Sequence, residues 1–317
     1  MIKIYNTDIV TDKFEEINEY REGSWINMIN PSEDEIKTVC SNLNIQEDFI
    51  RYSLDSEEKA RIDYEEDDDT VLFIMDVPIL EQVENHEIYT TMPFGMIVVR
   101  DDFIITVSLK ELDILKDFTI NKVKGFATYM KSRFILQVMY KNSSSYLNYL
   151  KLINRETEIA ENRLKSSMKN KALLKLLDLE KSLVYFITSL RANEAVMERT
   201  IKIKNIKLYE DDEDILEDAI IENKQAIEMS KIYKDILDST MDAYSSIISN
   251  TLNEVMKLLT SITIIISIPT LIASLWGMNV EVPFEIEKYG FWILCGIAFI
   301  VTAITIALLN KKGLLGK

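Results

Sequence analysis

The chain has 317 residues, 52 of them acidic against 36 basic, for a net charge of −16. That excess excludes nucleic acid as a partner, because phosphate binding draws on clustered Lys and Arg, and it suits a protein that gathers cations. Two cysteines, Cys40 and Cys295, cannot build a disulfide framework, which points to an intracellular soluble part.

Residues 1–124 read as a cytoplasmic α/β domain. The opening ten residues are polar and short, so no cleavable signal peptide is expected. Strand-like runs fall at 25–29, 70–75, 88–92, 96–100 and 103–107. Residues 71–75, Val-Leu-Phe-Ile-Met, are continuously apolar, as in a strand covered on both faces. Arg100, Asp101 and Asp102 read as the turn of a hairpin. Asn30 is expected to cap a helix running to about residue 43, with Pro31 in its first position and Glu33 reaching back; a second helix covers about 47–54. Asp67, Asp68 and Asp69 precede a strand and read either as a solvated turn or as half of a cation site. His86, the single histidine, reads as a surface residue, since a transition-metal site wants several soft ligands. No catalytic constellation emerges, and none is expected of a non-enzyme.

Past Gly125 the character changes. From Phe126 to Ile268 there is no Gly and no Pro, which predicts long helices. Softer points at 142–145, 166–170 and 205–209 divide a helical part, 125–209, from a stalk helix over 210–257 that opens on a run of acidic residues. A first apolar span covers 258–279 and a second covers 291–310, joined by a loop over 280–290 and followed by a basic tail over 311–317. The spans are long enough to cross a membrane and form a hairpin. Lys257, Lys311, Lys312 and Lys317 flank them, whereas the loop carries Glu281, Glu285 and Glu287. The Lys asymmetry predicts cytoplasmic termini in a cell membrane. A continuous helix of this length cannot bury itself and calls for a symmetric oligomer.

One stripe runs along stalk and span with alternating spacings of four and three: Asp235, Ser239, Asp242, Ser246, Ser249, Asn253, Met256, Thr260, Thr263, Ser267, Thr270, Ser274. That is a heptad seam, but all except Met256 are polar. Small polar residues let membrane helices pack closely. Alternatively, several copies surround a water-filled path that the stripe lines. Asp235 and Asp242 favour the second reading, because carboxylates at the centre of a bundle repel one another unless water or cations lie between them.

Gly277-Met278-Asn279 closes the first span. With Pro269-Thr270-Leu271-Ile272-Ala273-Ser274 before it, Asn253-Glu254-Val255-Met256-Lys257 further upstream and Trp25-Ile26-Asn27 near the start, the chain resembles the CorA family of magnesium transporters over nearly its whole length. The resemblance implies a funnel-shaped homopentamer with an α+β cytoplasmic domain, a long stalk helix and a two-helix transmembrane hairpin. It implies that Mg²⁺ is substrate and regulatory ligand, with no other cofactor. Gly277, Met278 and Asn279 would form the selectivity filter, Asn279 offering amide oxygens to a hydrated ion. Thr270 and Asn253 would add polar rings to the pore lined by Thr260, Thr263, Ser267 and Ser274; Met256 and Leu259 would form an apolar constriction, against simple packing as the plainer role. Asp218 and Asp242 would be regulatory carboxylates between subunits, with a partner sought at Asp67–Asp69. Trp276 stands where the family usually has Tyr, and the loop reads Glu281-Val282-Pro283-Phe284-Glu285 instead of the common Met-Pro-Glu-Leu; Glu281, Glu285 and Glu287 would concentrate cations there. Alternatives are a Zn²⁺, Co²⁺ or Ni²⁺ transporter of the same family and a membrane-anchored signalling or scaffold protein.

Overall fold

The computed structural model describes all residues except 66–68, 84–85, 101, 168–169, 201–208, 210, 280–288 and 316–317. Asp67, Asp68, Asp101, Glu281, Glu285 and Glu287 therefore lie outside the described residues, as does the side chain of His86. The chain forms two compact units, Met1–Asp238 and Ser239–Lys317.

The first unit holds a seven-stranded mixed sheet in the order β2-β1-β3-β7-β6-β5-β4. The strands are β1 (Ile2–Thr7), β2 (Phe14–Ile17), β3 (Trp25–Ile29), β4 (Arg61–Glu65), β5 (Thr70–Val83), β6 (His86–Val99) and β7 (Phe103–Ser108). Only β3 and β7 pair in parallel. The apolar run at 71–75 does what its composition requires. Val71, Phe73 and Met75 join one core and Leu72 and Ile74 the other, so β5 is covered on both faces. On one face lie α1 (Glu33–Leu43) and α2 (Glu47–Tyr52). On the other lie α3 (Asp113–Thr119) and the helices α4 (Lys131–Ser167) and α5 (Asn170–Thr200). An aromatic cluster fastens α4 to the sheet: Phe134 stacks edge-on against Trp25 and Phe118, each at 4.9 Å between ring centres.

Several expectations are corrected. The cap of α1 is Ser32, not Asn30: the Ser32 hydroxyl accepts from Glu35 N, and the Glu35 carboxylate accepts from Ser32 N. Asn30 instead holds a left-handed conformation, φ 42°, and its N–H donates to Ser108 O at 2.8 Å, tying the end of β3 to β7. Glu33 pairs with Arg51 of α2. The separate runs at 88–92 and 96–100 are one strand, β6, and β5 extends well past residue 75. Residues 142–145 do not break a helix. Asn142 and Ser143 find tertiary partners, Asp76 O and Ala219 O, and α4 passes straight through. Strands β1, β2 and β4 and helix α3 were not anticipated from the sequence.

One detail of the sheet explains three buried polar residues. β4 reaches only to Ile74, so beyond that point β5 has no strand on that side among the described residues. Asp76 would leave its backbone N–H and C=O unmet there. Asn193 of α5 supplies both partners: its side-chain oxygen accepts from Asp76 N at 2.9 Å and its amide donates to Asp76 O at 2.8 Å. Asn142 and Tyr146 of α4 donate to the same carbonyl. Pro78 shares the parity of Asp76, so its missing N–H removes no rung from the β5–β6 ladder.

Helix α6 (Asp212–Trp276) begins in the first unit and contributes to both; α7 (Gly290–Lys311) belongs to the second. The start of α6 is clamped by Asp212, which is fully buried, accepts from Arg133 Nε at 2.8 Å and accepts from Tyr209 N.

Candidate functional site

In the second unit, α6 and α7 are the two helices long and apolar enough to cross a membrane. They are held as a hairpin at one end: the Ser261 hydroxyl donates to Leu314 O at 2.9 Å, just beyond the last turn of α7. This fixes which side of α6 is covered. Ser261 is buried, and Ile265, Ile268, Pro269, Ile272 and Trp276 are half-buried, again at intervals of three and four. Thr260, Thr263, Ser267, Thr270 and Ser274 are exposed. At about 100° per residue the two rows lie roughly half a turn apart. Thr263, Ser267, Thr270 and Ser274 are therefore on the far side of α6 from α7, whereas Asn253, Met256 and Thr260, nearer the start of the span, border a pocket shared with Leu309 and Leu314. Met256 and Leu259 are about as exposed as their neighbours, at 51% and 56%.

The chemistry of the row follows from its hydrogen bonds. Thr260, Thr263, Ser267 and Thr270 each donate to the carbonyl four residues earlier, at 2.7–2.9 Å. With the hydrogen turned inward, the oxygen presents acceptor lone pairs to the outside. Such a surface receives hydrogen bonds from the water shell of a cation. A shallow groove follows the same face, lined by Thr263, Ile266, Ser267, Thr270, Leu271 and Ser274.

Gly277, Met278 and Asn279 follow the last turn of α6. Gly277 N donates to Ala273 O at 3.0 Å, and Met278 and Asn279 are exposed. Asp242 is exposed in the second unit, while Asp218 and Asp235 are exposed in the first. Asp69 sits in the turn between β4 and β5 with φ 45°, where its carboxylate accepts from the Tyr64 hydroxyl at 3.3 Å. Among the described residues no three acidic, His or Cys side chains gather into a metal cluster within one chain. The sequence reading missed the buried polar group around Asp76, whose carboxyl is pushed up by burial and faces Ser189. A lone carboxylate inside an apolar strand was the available signal.

The family model for CorA-like Mg²⁺ transporter proteins matches residues 21–312. The chain belongs to the CorA family. CorA relatives include a cobalt/magnesium transport protein from Methanocaldococcus jannaschii, 28% identical over 318 residues and 96% of each chain. A magnesium transport protein from Helicobacter pylori is 23% identical, again over 96% of each. The complete structure of the CorA magnesium transporter from Methanocaldococcus jannaschii superposes with a TM-score of 0.83 at 25% identity, covering 99% of this chain and 98% of that one. The CorA fold thus accounts for the α+β first unit, the long α6 and the apolar hairpin together.

Proposed function

We propose that the protein carries divalent cations, Mg²⁺ first, across a cell membrane through a central path lined by α6 in a homo-oligomer, which family resemblance makes a pentamer. The observation that carries this reading is the position of the stripe. α7 covers one side of α6, and Thr263, Ser267, Thr270 and Ser274 face the other, so a ring of α6 helices with α7 outside turns their hydroxyls inward. Asn279 offers amide oxygens at the mouth. Mg²⁺ sheds its water reluctantly, so a neutral ring that binds the hydration shell selects the ion without stripping it. Met256 and Leu259 form the narrow apolar segment that closes by dewetting. Asp218 and Asp242, which join no metal-ligating cluster among the described residues of one chain, act as cytoplasmic Mg²⁺ sensors between subunits, with Asp69 and its neighbours as the region to search for the opposing ligand. The loop glutamates gather cations at the mouth, and both termini face the cytoplasm.

The test is ion-resolved flux into proteoliposomes. Mg²⁺ uptake is expected from the natural protein, with loss of uptake and retained assembly in Asn279→Ala. Full uptake by that variant would remove Asn279 from the path. Uptake of Zn²⁺ but not Mg²⁺ would assign the cargo to the alternative cation class.

A further inference from the structure

We propose that a cavity between β1, β3 and α3 binds a small oxyanion, a carboxylate or a phosphate, through buried donors that have no partner among the described residues. The site lies wholly in the first unit, uses none of the residues assigned to the ion path, and stands whether or not the transport reading does.

Strand register gathers its residues. β1 pairs with β3 and β3 with β7, which sets Lys3, Asn27 and Thr106 abreast on three adjacent strands. Tyr5 and Trp25 are the neighbouring pair, two residues along and so on the same face. That is the face α3 covers: Tyr5, Trp25, Leu112 and Leu115 share one core.

A one-way chain of hydrogen bonds then decides what Asn27 offers. The Trp25 indole can only donate, and it donates to Thr106 Oγ1 at 2.8 Å. The Thr106 hydroxyl donates in turn to Asn27 Oδ1 at 3.0 Å. Reversing the amide would leave the hydrogen of the fully buried Thr106 without that acceptor, so the oxygen of Asn27 is spent and its NH₂ is left over. Asn27 is only 5% exposed, yet it lines the cavity and its NH₂ donates to nothing among the described residues. Tyr5, 4% exposed, lines the same cavity, and its hydroxyl likewise meets no partner among them. Burial first, then the charges of Glu16 and Glu111, push the Tyr5 pKa up, so the phenol keeps its hydrogen and donates. The buried side-chain atoms sealed without a partner among the described residues are on Ser108, Gln137, Asn142 and Asn223; the free groups of Asn27 and Tyr5 therefore keep an opening.

Three charged side chains complete the lining. Lys3 has no carboxylate partner among the described residues, Lys116 pairs with the exposed Asp113 at 2.6 Å, and Glu111 is exposed. Neutral donors beneath two ammonium groups complement an oxyanion, and Glu111 opposes it. At about 15 Å³ for each water, a cavity of about 60 Å³ takes a few waters or one group the size of a carboxylate or phosphate.

Hydrogen-exchange mass spectrometry on the full-length protein in detergent tests this, with sodium acetate, sodium phosphate and magnesium chloride each compared with sodium chloride at equal pH and ionic strength. An anion at about four times its Kd is expected to slow exchange of amides in residues 1–7, 25–29 and 112–119 about fivefold, by the factor 1 + [L]/Kd. Slowing by acetate alone assigns a carboxylate ligand, and slowing by phosphate alone a phosphorylated one; either supports the site. Lys3→Gln with Tyr5→Phe should abolish the effect, and Glu111→Gln should strengthen it, which a purely structural role for Glu111 would not do. Should the double variant exchange freely throughout in chloride, Lys3→Gln alone and the exposed Glu111→Gln carry the same decision. Unchanged exchange with both anions overturns the proposal, because the cavity then holds only water. So does slowing that survives in the Lys3 variants, or slowing by magnesium chloride that Glu111→Gln removes. Uptake into proteoliposomes is read separately, and neither result decides the other.

Discussion

Asn193 gives the sharpest energetic prediction. Among the described residues it alone meets the Asp76 N–H, whereas the Asp76 carbonyl is also served by Asn142 and Tyr146. Asn193→Ala therefore orphans a donor in the interior, which costs about 1–3 kcal/mol. Truncating a fully buried side chain adds about 1 kcal/mol for the space it leaves. Asn142→Ala is the matched control. Among the described residues it removes one of three donors to the carbonyl and takes away an amide oxygen that is itself buried without a partner. Its cost is the truncation term, about 1 kcal/mol or less. Thermal unfolding of the two variants in detergent, followed by circular dichroism, should separate them by several degrees, since about 2–4 °C corresponds to 1 kcal/mol for a unit of this size. Equal losses would mean that the strand edge does not depend on the amide of Asn193, and that its pairing with Asp76 is incidental.

Burial holds the Asp76 carboxyl above the usual range, so its contribution to stability is fullest below the unfolded carboxylate pKa and falls as pH rises through the raised value. Asp76→Asn should therefore gain on the natural protein between about pH 4 and pH 7 in melting temperature; a constant gap would show that the carboxyl is not desolvated. At Gly95 a Cβ would stand 2.5 Å from Ser53 Cβ and closer still to its hydroxyl, so Gly95→Ala should destabilise by about 1–3 kcal/mol, with Ser53→Gly restoring most of the loss. An unaffected Gly95→Ala would show that α2 shifts freely over β6. Asp218→Asn should weaken closure by cytoplasmic Mg²⁺ in the flux assay several-fold, as loss of one coupling carboxylate implies; unchanged inhibition would place the sensor elsewhere.

Much of the second unit was legible because its signals are periodic and local. Absence of Gly and Pro gave the long helices, and the four-three spacing placed the hydroxyls on one face, which the position of α7 then put on the open side. The failures were tertiary. Asn142 and Ser143 resemble a helix break by propensity, and only their partners on β5 and α6 make them helical. β1 alternates too weakly to stand out, yet it gains a partner on each side, β2 and β3. The cap of α1 was displaced by two residues although Ser32 and Glu35 carried the stronger capping-box signal. Asp218 and Asp242 were located by family spacing, and among the described residues of a single chain they join no metal-ligating cluster.

The inward turn of the α6 hydroxyls has a consequence for hydrogen ions. A relay along Thr260, Thr263, Ser267 and Thr270 would need each group to hand its proton to the next. Every one of those protons is already committed to a carbonyl behind it. The side chains themselves thus make a poor proton wire, and in the proposed path a pH gradient would find no shortcut through them.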